Sequence, residues 1–363
     1  MRILQVMASG ASGGGAEHLL GLLPALARRG VECEAAVGED GPLRGQLSDM
    51  GFTTWPLRLM ASRIDPRGPL RVAHILRHSH ADLAHWHGTR AGFYGGLSQR
   101  LHPVRSVYTV HGLAHNRRAH PLTTWMLRNA ERIACAAADL VISVSNADLT
   151  DLRQQGFVED KPTLHLPNAV DTERFCPRLQ HDGRRQLGLP TTGFVVGTVS
   201  RLVPQKSVEV FLEAVRQLPD VTALVIGTGP SEADLRRRFG DLGKRVRFLG
   251  ARDDIPVCLN ALDVFVLSSS WEGQPIALLE ALASGVPCVA TDTAGSRETL
   301  EGGALGRLVP IGNAAGLATA IRQLSNNSVC RQQLAQRGRT AMIARSYDSV
   351  ASEISAAYRR LRF

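Results

Sequence analysis

Residues Ser268–Thr291 read SSSWEGQPIALLEALASGVPCVAT. Pro275 stands where the first turn of a helix tolerates it, because that N–H has no intrahelical partner. Ile276 to Ala283 are apolar except for Glu280, which predicts a buried helix. Gly285 and Pro287 stop it before a strand over Val286–Thr291. Glu280 is thus a carboxylate in an almost wholly apolar helix, and it should point at a polar partner, since an unpaired buried charge is expensive. Glu272 lies eight residues earlier, just before a Gly-x-Pro turn. The helix start beside it, at Gly273, Gln274, Pro275 and Ile276, offers a positive dipole end and N–H groups ahead of the first intrahelical bond, which favour an anion. A carboxylate to grip hydroxyls, a helix end for phosphate and a second carboxylate one element deeper suit a nucleotide sugar. Taken singly, Glu272 is also a plausible capping acid and Glu280 a helix-surface residue; the string as a whole carries the reading.

Helix-and-strand alternation of this kind runs along the whole chain, which argues for parallel sheets. Arg2–Met7 predicts a strand, followed by the run Gly13-Gly14-Gly15 and a helix through about Arg28. Further strands are expected at Val31–Val37, Leu83–Trp86, Ser106–Val110, Leu140–Val144, Phe194–Val199, Ala223–Gly227, Arg245–Leu249 and Val264–Leu267. The polar stretch Pro177–Pro190 is the best linker candidate. It divides the chain into 1–176 and 177–345, with an amphipathic helix at 346–363. At 363 residues there is room for two doubly wound domains, and ligands of such sheets bind at the carboxyl ends of strands.

Four other stations join the glutamates. Gly14 and Gly15 follow the first strand and let backbone approach a ligand closely. Arg201 and Lys206 follow Phe194–Val199, five apart on one loop, and suit a clamp on two phosphoryl groups. His111 ends Ser106–Val110, and His87 ends the strand before it; His85, His115 and His120 are expected in solvent. Ala251 and Arg252 follow Arg245–Leu249, where a turn sets backbone groups against a base, and Asp253 and Asp254 look like a helix N-cap pair. There is no D-x-D motif and no G-x-G-x-x-G fingerprint, so neither a metal nor a dinucleotide cofactor is expected. The six cysteines lie far apart without C-x-x-C spacing, which disfavours zinc ligation and a disulfide framework and makes a reducing cytoplasm the default.

The string around Glu272 and Glu280 resembles the E-x7-E signature of glycosyltransferase family 4, retaining enzymes of the GT-B fold. The similarity runs over most of the chain, strongest from about 191 to 310. Ser200–Ser207, SRLVPQKS, is similar to that family's GRLxxxKG, with Ser200 and Ser207 in place of glycines. The resemblance implies two Rossmann-like domains facing across a cleft, the first on the acceptor side, the second holding the donor, with Tyr347–Leu361 crossing back to the first. It implies a nucleoside diphosphate sugar donor, a UDP-sugar favoured, and a glycan or lipid-linked acceptor, as in surface polysaccharide or lipopolysaccharide synthesis. Glu272 would contact the transferred sugar, Glu280 the ribose, His111 the sugar and reacting centre, Gly14 and Gly15 the diphosphate and acceptor, and Ala251 and Arg252 the base. Asn168, Asp171 and Glu298 are weaker matches. Two other classes fit parts of the pattern: an epimerase of the same fold, which would need its own acid and base residues, and a non-catalytic nucleotide-binding module.

Net charge is +9, and Leu83–Ala130 holds no acid at all, yet carries Arg90, Arg100, Arg105, Arg117, Arg118 and Arg128. Just before it lie Arg58, Arg63, Arg67, Arg71 and Arg77. A basic face of this kind suits an anionic membrane surface, and hence a cytoplasmic enzyme peripheral on the inner face of the membrane, with no nucleic acid partner expected. Only three lysines accompany the many arginines, so codon bias is a competing explanation.

Overall fold

A computed structural model describes residues 1–59, 65–113 and 120–361. Within them the chain divides into two units, Met1–Ala169 with Tyr347–Phe363, and Val170–Ser346. Arg63, His115, Arg117 and Arg118 lie outside the described residues.

The first unit has seven parallel strands: β1 (Arg2–Met7), β2 (Glu32–Gly38), β3 (Thr53–Leu57), β4 (Leu83–His87), β5 (Arg105–Val110), β6 (Leu140–Ser143) and β7 (Thr163–His165). Their order in the sheet is β3-β2-β1-β4-β5-β6-β7. Strands such as RILQVM are apolar at both alternating sets of positions because both faces are covered. One core holds Ile3, Leu22 and Leu26 and the other Leu4, Trp86 and Tyr108. Strand order reverses between β1 and β4, where two neighbouring connections leave in opposite directions and a crevice opens at the carboxyl ends. Gly13 to Gly15, after β1, and His87, at the end of β4, both sit there. Gly13, at φ 147°, opens the helix Gly14–Arg28 in a conformation that favours glycine.

The helix Tyr347–Leu361 belongs to this unit and packs on Gly14–Arg28. The Tyr347 ring fills the space over Gly21, where a β-carbon would sit 2.1 Å from a ring carbon. Its hydroxyl donates to the Glu17 carbonyl at 3.0 Å.

The second unit has six parallel strands: β8 (Phe194–Val199), β9 (Val221–Ile226), β10 (Val246–Gly250), β11 (Val264–Leu267), β12 (Cys288–Thr291) and β13 (Arg307–Val309), in the order β10-β9-β8-β11-β12-β13. Its reversal falls between β8 and β11, so the loops after these two strands face one crevice. Those loops carry Arg201 and Lys206 on one side and Ser268–Glu272 on the other. The expected helix Ile276–Ala283 is present with those bounds; Pro275 is its cap rather than its first residue, and β12 begins at Cys288, two residues after the expected start.

The stretch 177–190 is not a linker. Gln180–Gln186 is a helix whose Arg184 is buried against Asp263 at 2.7 Å and donates to the carbonyls of Ala261, Thr191 and Gly193. Its charge made the segment look solvated, but Arg184 is buried and paired with Asp263. All six cysteines are unpaired. Among the described residues no helix is long and apolar enough to cross a membrane.

Candidate functional site

In the second unit the site begins with a close backbone approach. A β-carbon on Gly295 would lie 2.0 Å from the Gly273 carbonyl oxygen and 2.9 Å from that of Glu272, so only glycine lets the helix Ala294–Thr299 come this near. Thr293 caps that helix by accepting from Ser296 N–H at 3.1 Å. The turn at Glu272–Gly273 is thereby set at the head of Ile276–Ala283. On its other side, Ser270 N–H donates to the Gln205 carbonyl at 2.8 Å, and the Gln205 amide donates to the Trp271 carbonyl at 3.1 Å. Ser268 Oγ donates to the Lys206 carbonyl at 3.0 Å. The loops after β8 and β11 are stitched together by these bonds.

Between them the Lys206 ammonium meets Glu272 Oε1 at 2.6 Å, and Ser269 Oγ donates to the same oxygen at 2.5 Å. The two side chains are 18% and 7% exposed, so this is a nearly buried ion pair with a third, neutral donor fixing the carboxylate. Arg201 lies on the same loop as Lys206 and is exposed. Ile276 and Ala277 form the first turn of the helix, whose N–H groups have no intrahelical acceptor. Among the described residues Arg201 makes no ion pair, and together with the Lys206–Glu272 pair and the helix start it offers charges and N–H groups of the kind that suit an anion.

Glu280 is buried one turn further along and is engaged in a polar interaction, as a lone carboxylate among Leu278, Leu279 and Leu282 must be. Ala251 and Arg252 follow β10 at the far side of the sheet. Arg252 makes two bonds to Asp254, at 2.7 and 2.6 Å, which hold the guanidinium charged and the carboxyl below its ordinary range. Asp254 does occupy the position before the helix Ile255–Asn260, but its side chain does not cap it; the carboxylate is taken by Arg252.

The first unit holds a second polar cluster. His111 follows β5, with its Nε2 at 3.0 Å from His87 Nδ1. His87 Nε2 lies 2.8 Å from Gln5 Oε1, whose amide donates to Tyr358 Oη at 3.0 Å. Tyr358 Oη is 2.5 Å from His85 Nδ1, and His85 Nε2 is 2.6 Å from Thr109 Oγ1. His85 is therefore fully buried, not in solvent: Tyr358, on the helix Tyr347–Leu361, supplies the partner that makes its burial tolerable. His120 is exposed, its ring accepting from Leu122 N–H. His18, which the sequence did not single out, packs edge-on against His111 at 4.8 Å between centroids and is buried with neither ring nitrogen hydrogen-bonded. Burial above all, and for His18, His85 and His87 the neighbouring rings as well, lower these groups: His111 to about 4, His85 to about 3, His18 and His87 well below their usual range. All four are neutral at pH 7.

Gly14 and Gly15 open the helix that carries His18; a β-carbon on Gly15 would come to 3.2 Å from the Met7 methyl. Sequence reasoning missed Ser269 and Gly295 as well as His18. The serine run before Glu272 and the Thr-Ala-Gly-Ser stretch at 293–296 were the available signals.

Residues 12–174 match the family model described as Glycosyltransferase Family 4, and residues 193–327 match that described as Glycosyl transferases group 1. The lipopolysaccharide core biosynthesis glycosyltransferase LpsE of Rhizobium meliloti (strain 1021) is 30% identical over 342 residues, 92% of each chain. An Escherichia coli protein, UDP-Gal:alpha-D-GlcNAc-diphosphoundecaprenol alpha-1,3-galactosyltransferase, is 29% identical over 306 residues, 80% of this chain and 79% of that one. The crystal structure of Anabaena HepE in complex with UDP and glucose superposes with a TM-score of 0.87 at 26% identity, covering 99% of both chains.

Proposed function

This chain belongs to the group 1 glycosyltransferases of family 4 and has their GT-B fold, and on that footing we propose that it moves a glycosyl group from a UDP-sugar to a lipid-linked or glycan acceptor in lipopolysaccharide or polysaccharide assembly. The observation that carries this reading is the Lys206–Glu272 pair at 2.6 Å beside the start of Ile276–Ala283. An ammonium already held by a carboxylate is poised to exchange that carboxylate for a donor's diphosphate, which frees the carboxylate for the sugar. UDP in the HepE complex and UDP-Gal in the name of the E. coli relative support the choice of nucleotide.

In this mechanism the diphosphate takes Lys206 and Arg201 as counter-charges and places oxygens at the backbone N–H groups of Gly273, Gln274 and Ile276. Glu272, released from Lys206 but still held by Ser269, accepts hydroxyls of the transferred sugar. Glu280 accepts from the ribose, and Ala251 with Arg252 borders the base. For Gly14, Gly15 and His111 in the first unit we keep the roles that the family resemblance implies; neutral at pH 7, His111 acts as a hydrogen-bonding group rather than a charge. The acceptor oxygen attacks the anomeric carbon as the bond to the diphosphate breaks, and its proton passes to a departing phosphate oxygen. Rate comes from positioning and from stabilising the leaving charge, a term worth several kcal/mol.

We extend the reading to a membrane surface. Leu122, Trp125 and Met126 are exposed on the helix Pro121–Ala137, with exposed Arg128 and Arg132 on the same helix. Exposed aromatic and aliphatic side chains beside arginines suit an anionic interface. Arg58, Arg71 and Arg105 do not add to it, since Glu39, Asp65 and Asp139 pair with them. A lipid-linked acceptor would be met there.

The test is a thermal-shift screen of nucleotide sugars followed by assay of nucleoside diphosphate release with lipid-diphosphate acceptors. A UDP-sugar should stabilise most, by about 2.7 kcal/mol at a hundred times its Kd. If no nucleotide sugar shifts the transition, the donor assignment is wrong.

A further inference from the structure

We propose that His18, His87 and His111 form a binding site for a borderline divalent transition ion of the zinc class. The three come from separate segments: a helix, the end of β4 and the residue after β5. One ring nitrogen from each can be chosen so that all lie within 4.8 Å of one another. Bonds of about 2.0–2.1 Å in a tetrahedral site set ligand nitrogens roughly 3.3 Å apart. His87 and His111 already stand at 3.0 Å, and His18, within 4.8 Å of them, would have to move its ring nitrogen closer to complete the set.

Independent observations point to a ligand rather than to a packed core. His18 is buried at 4% exposure with neither nitrogen hydrogen-bonded, an arrangement that a ring with one donor and one acceptor rarely tolerates. His87 has the support that metal-bound histidines have: with the Gln5 amide donating to Tyr358, Gln5 Oε1 must accept from His87 Nε2–H, which leaves the Nδ1 lone pair turned toward His111. The ion would replace the single proton shared between the two rings. The donor set contains imidazole alone, which suits zinc, cobalt, nickel or copper and rejects magnesium and calcium. Three protein ligands leave one position open.

A consequence rests on the role proposed above for His111. A ring nitrogen bound to an ion is not free to meet the donor sugar, so occupancy inhibits transfer, and a chelator restores it.

Cobalt(II) titration of the full chain tests the site directly, because tetrahedral cobalt absorbs in the visible. The bands should appear with one equivalent bound at this site and vanish on adding zinc. A surface pair, His74 and His78, lies four apart on the helix Gly68–Ser79 with ring centroids 4.1 Å apart, and it can bind metal on its own. The double variant His74→Ala/His78→Ala should therefore keep the bands. His18→Ala should lose them or weaken binding by at least about tenfold. His18→Asn, which fills more of the space, gives a second folded variant, both checked by circular dichroism. Absence of bands in the wild type, or bands unchanged in a folded His18 variant, overturns the site. Zinc should also depress turnover in the wild type and not in the His18 variants; inhibition that survives in them overturns the proposal. Binding at His18 without inhibition keeps the ion site and removes His111 from the donor contact.

Discussion

The Lys206–Glu272 pair allows a magnitude to be worked out before any measurement. At 2.6 Å and an effective dielectric of about 20, two unit charges attract by about 6 kcal/mol before desolvation is counted. Burial takes back a large share, and removing one partner of a buried pair costs roughly 3–5 kcal/mol. Lys206 keeps 18% exposure, which puts Glu272→Gln at the low end, about 3 kcal/mol. The glutamine keeps a hydrogen-bond acceptor for Ser269 and removes only the charge. For a unit the size of Val170–Ser346 this is a fall in Tm of roughly 6–12 °C. A double-mutant cycle with Lys206→Met isolates the pair, and its coupling energy should be about 2–3 kcal/mol without nucleotide. Saturating UDP should cut that coupling by about half, since the diphosphate offers the ammonium a second anionic partner. The assay is thermal unfolding followed through the transition that UDP shifts. A coupling below about 0.5 kcal/mol, or one indifferent to UDP, refutes the exchange of partners on which the mechanism depends.

Three further outcomes are expected. Glu280→Gln should weaken UDP binding and raise KM with kcat little changed, whereas Glu272→Gln should lower kcat; equal UDP affinity in both variants would remove Glu280 from the ribose. Burial pushes the Glu131 carboxyl up to about 7, above its unfolded value of 4.5, so the folded state keeps a proton that the unfolded state loses. Stability from this group is then full below about 4.5 and falls as pH rises through about 7, by about 3 kcal/mol in all. Urea unfolding of Glu131→Gln should lack this decline, and parallel pH curves for variant and wild type would count against it. Sedimentation with anionic vesicles at low salt should weaken by about 2 kcal/mol when Arg128 and Arg132 become Gln, and further when Trp125 becomes Ser; unchanged partitioning would leave that helix without a membrane role.

The helix Ile276–Ala283 and the strands at Arg2–Met7, Phe194–Val199 and Val264–Leu267 were legible to the residue, because each is mostly buried on both faces and therefore mostly apolar. The strands that escaped notice, β3 (TTWPL), β7 (TLH) and β13 (RLV), are all at sheet edges. An edge strand has one neighbour and less burial, so it can be short, polar or hold a proline without losing its place. Glu272, Lys206 and Arg201 were singled out from spacing, and strand order is what brings the loops that carry them together. The histidine cluster was not. His85 and Tyr358 are separated by 273 residues, and His18 meets His111 only because β1, β4 and β5 are adjacent. No local pattern encodes a contact whose two halves are set by topology.

Because residues 347–361 complete the first unit, that unit is assembled from both ends of the sequence during synthesis. When Ala169 leaves the ribosome, Gln5 and His85 still await the Tyr358 hydroxyl, and the face of Gly14–Arg28 that receives Tyr347, Val350 and Ile354 is bare. At about 5–20 residues per second the covering helix arrives roughly 10–40 s later. Val170–Ser346 is one continuous segment and can finish first. The nascent chain thus carries an uncovered apolar flank for most of its translation, and chaperone demand should track the speed at which the intervening segment is read.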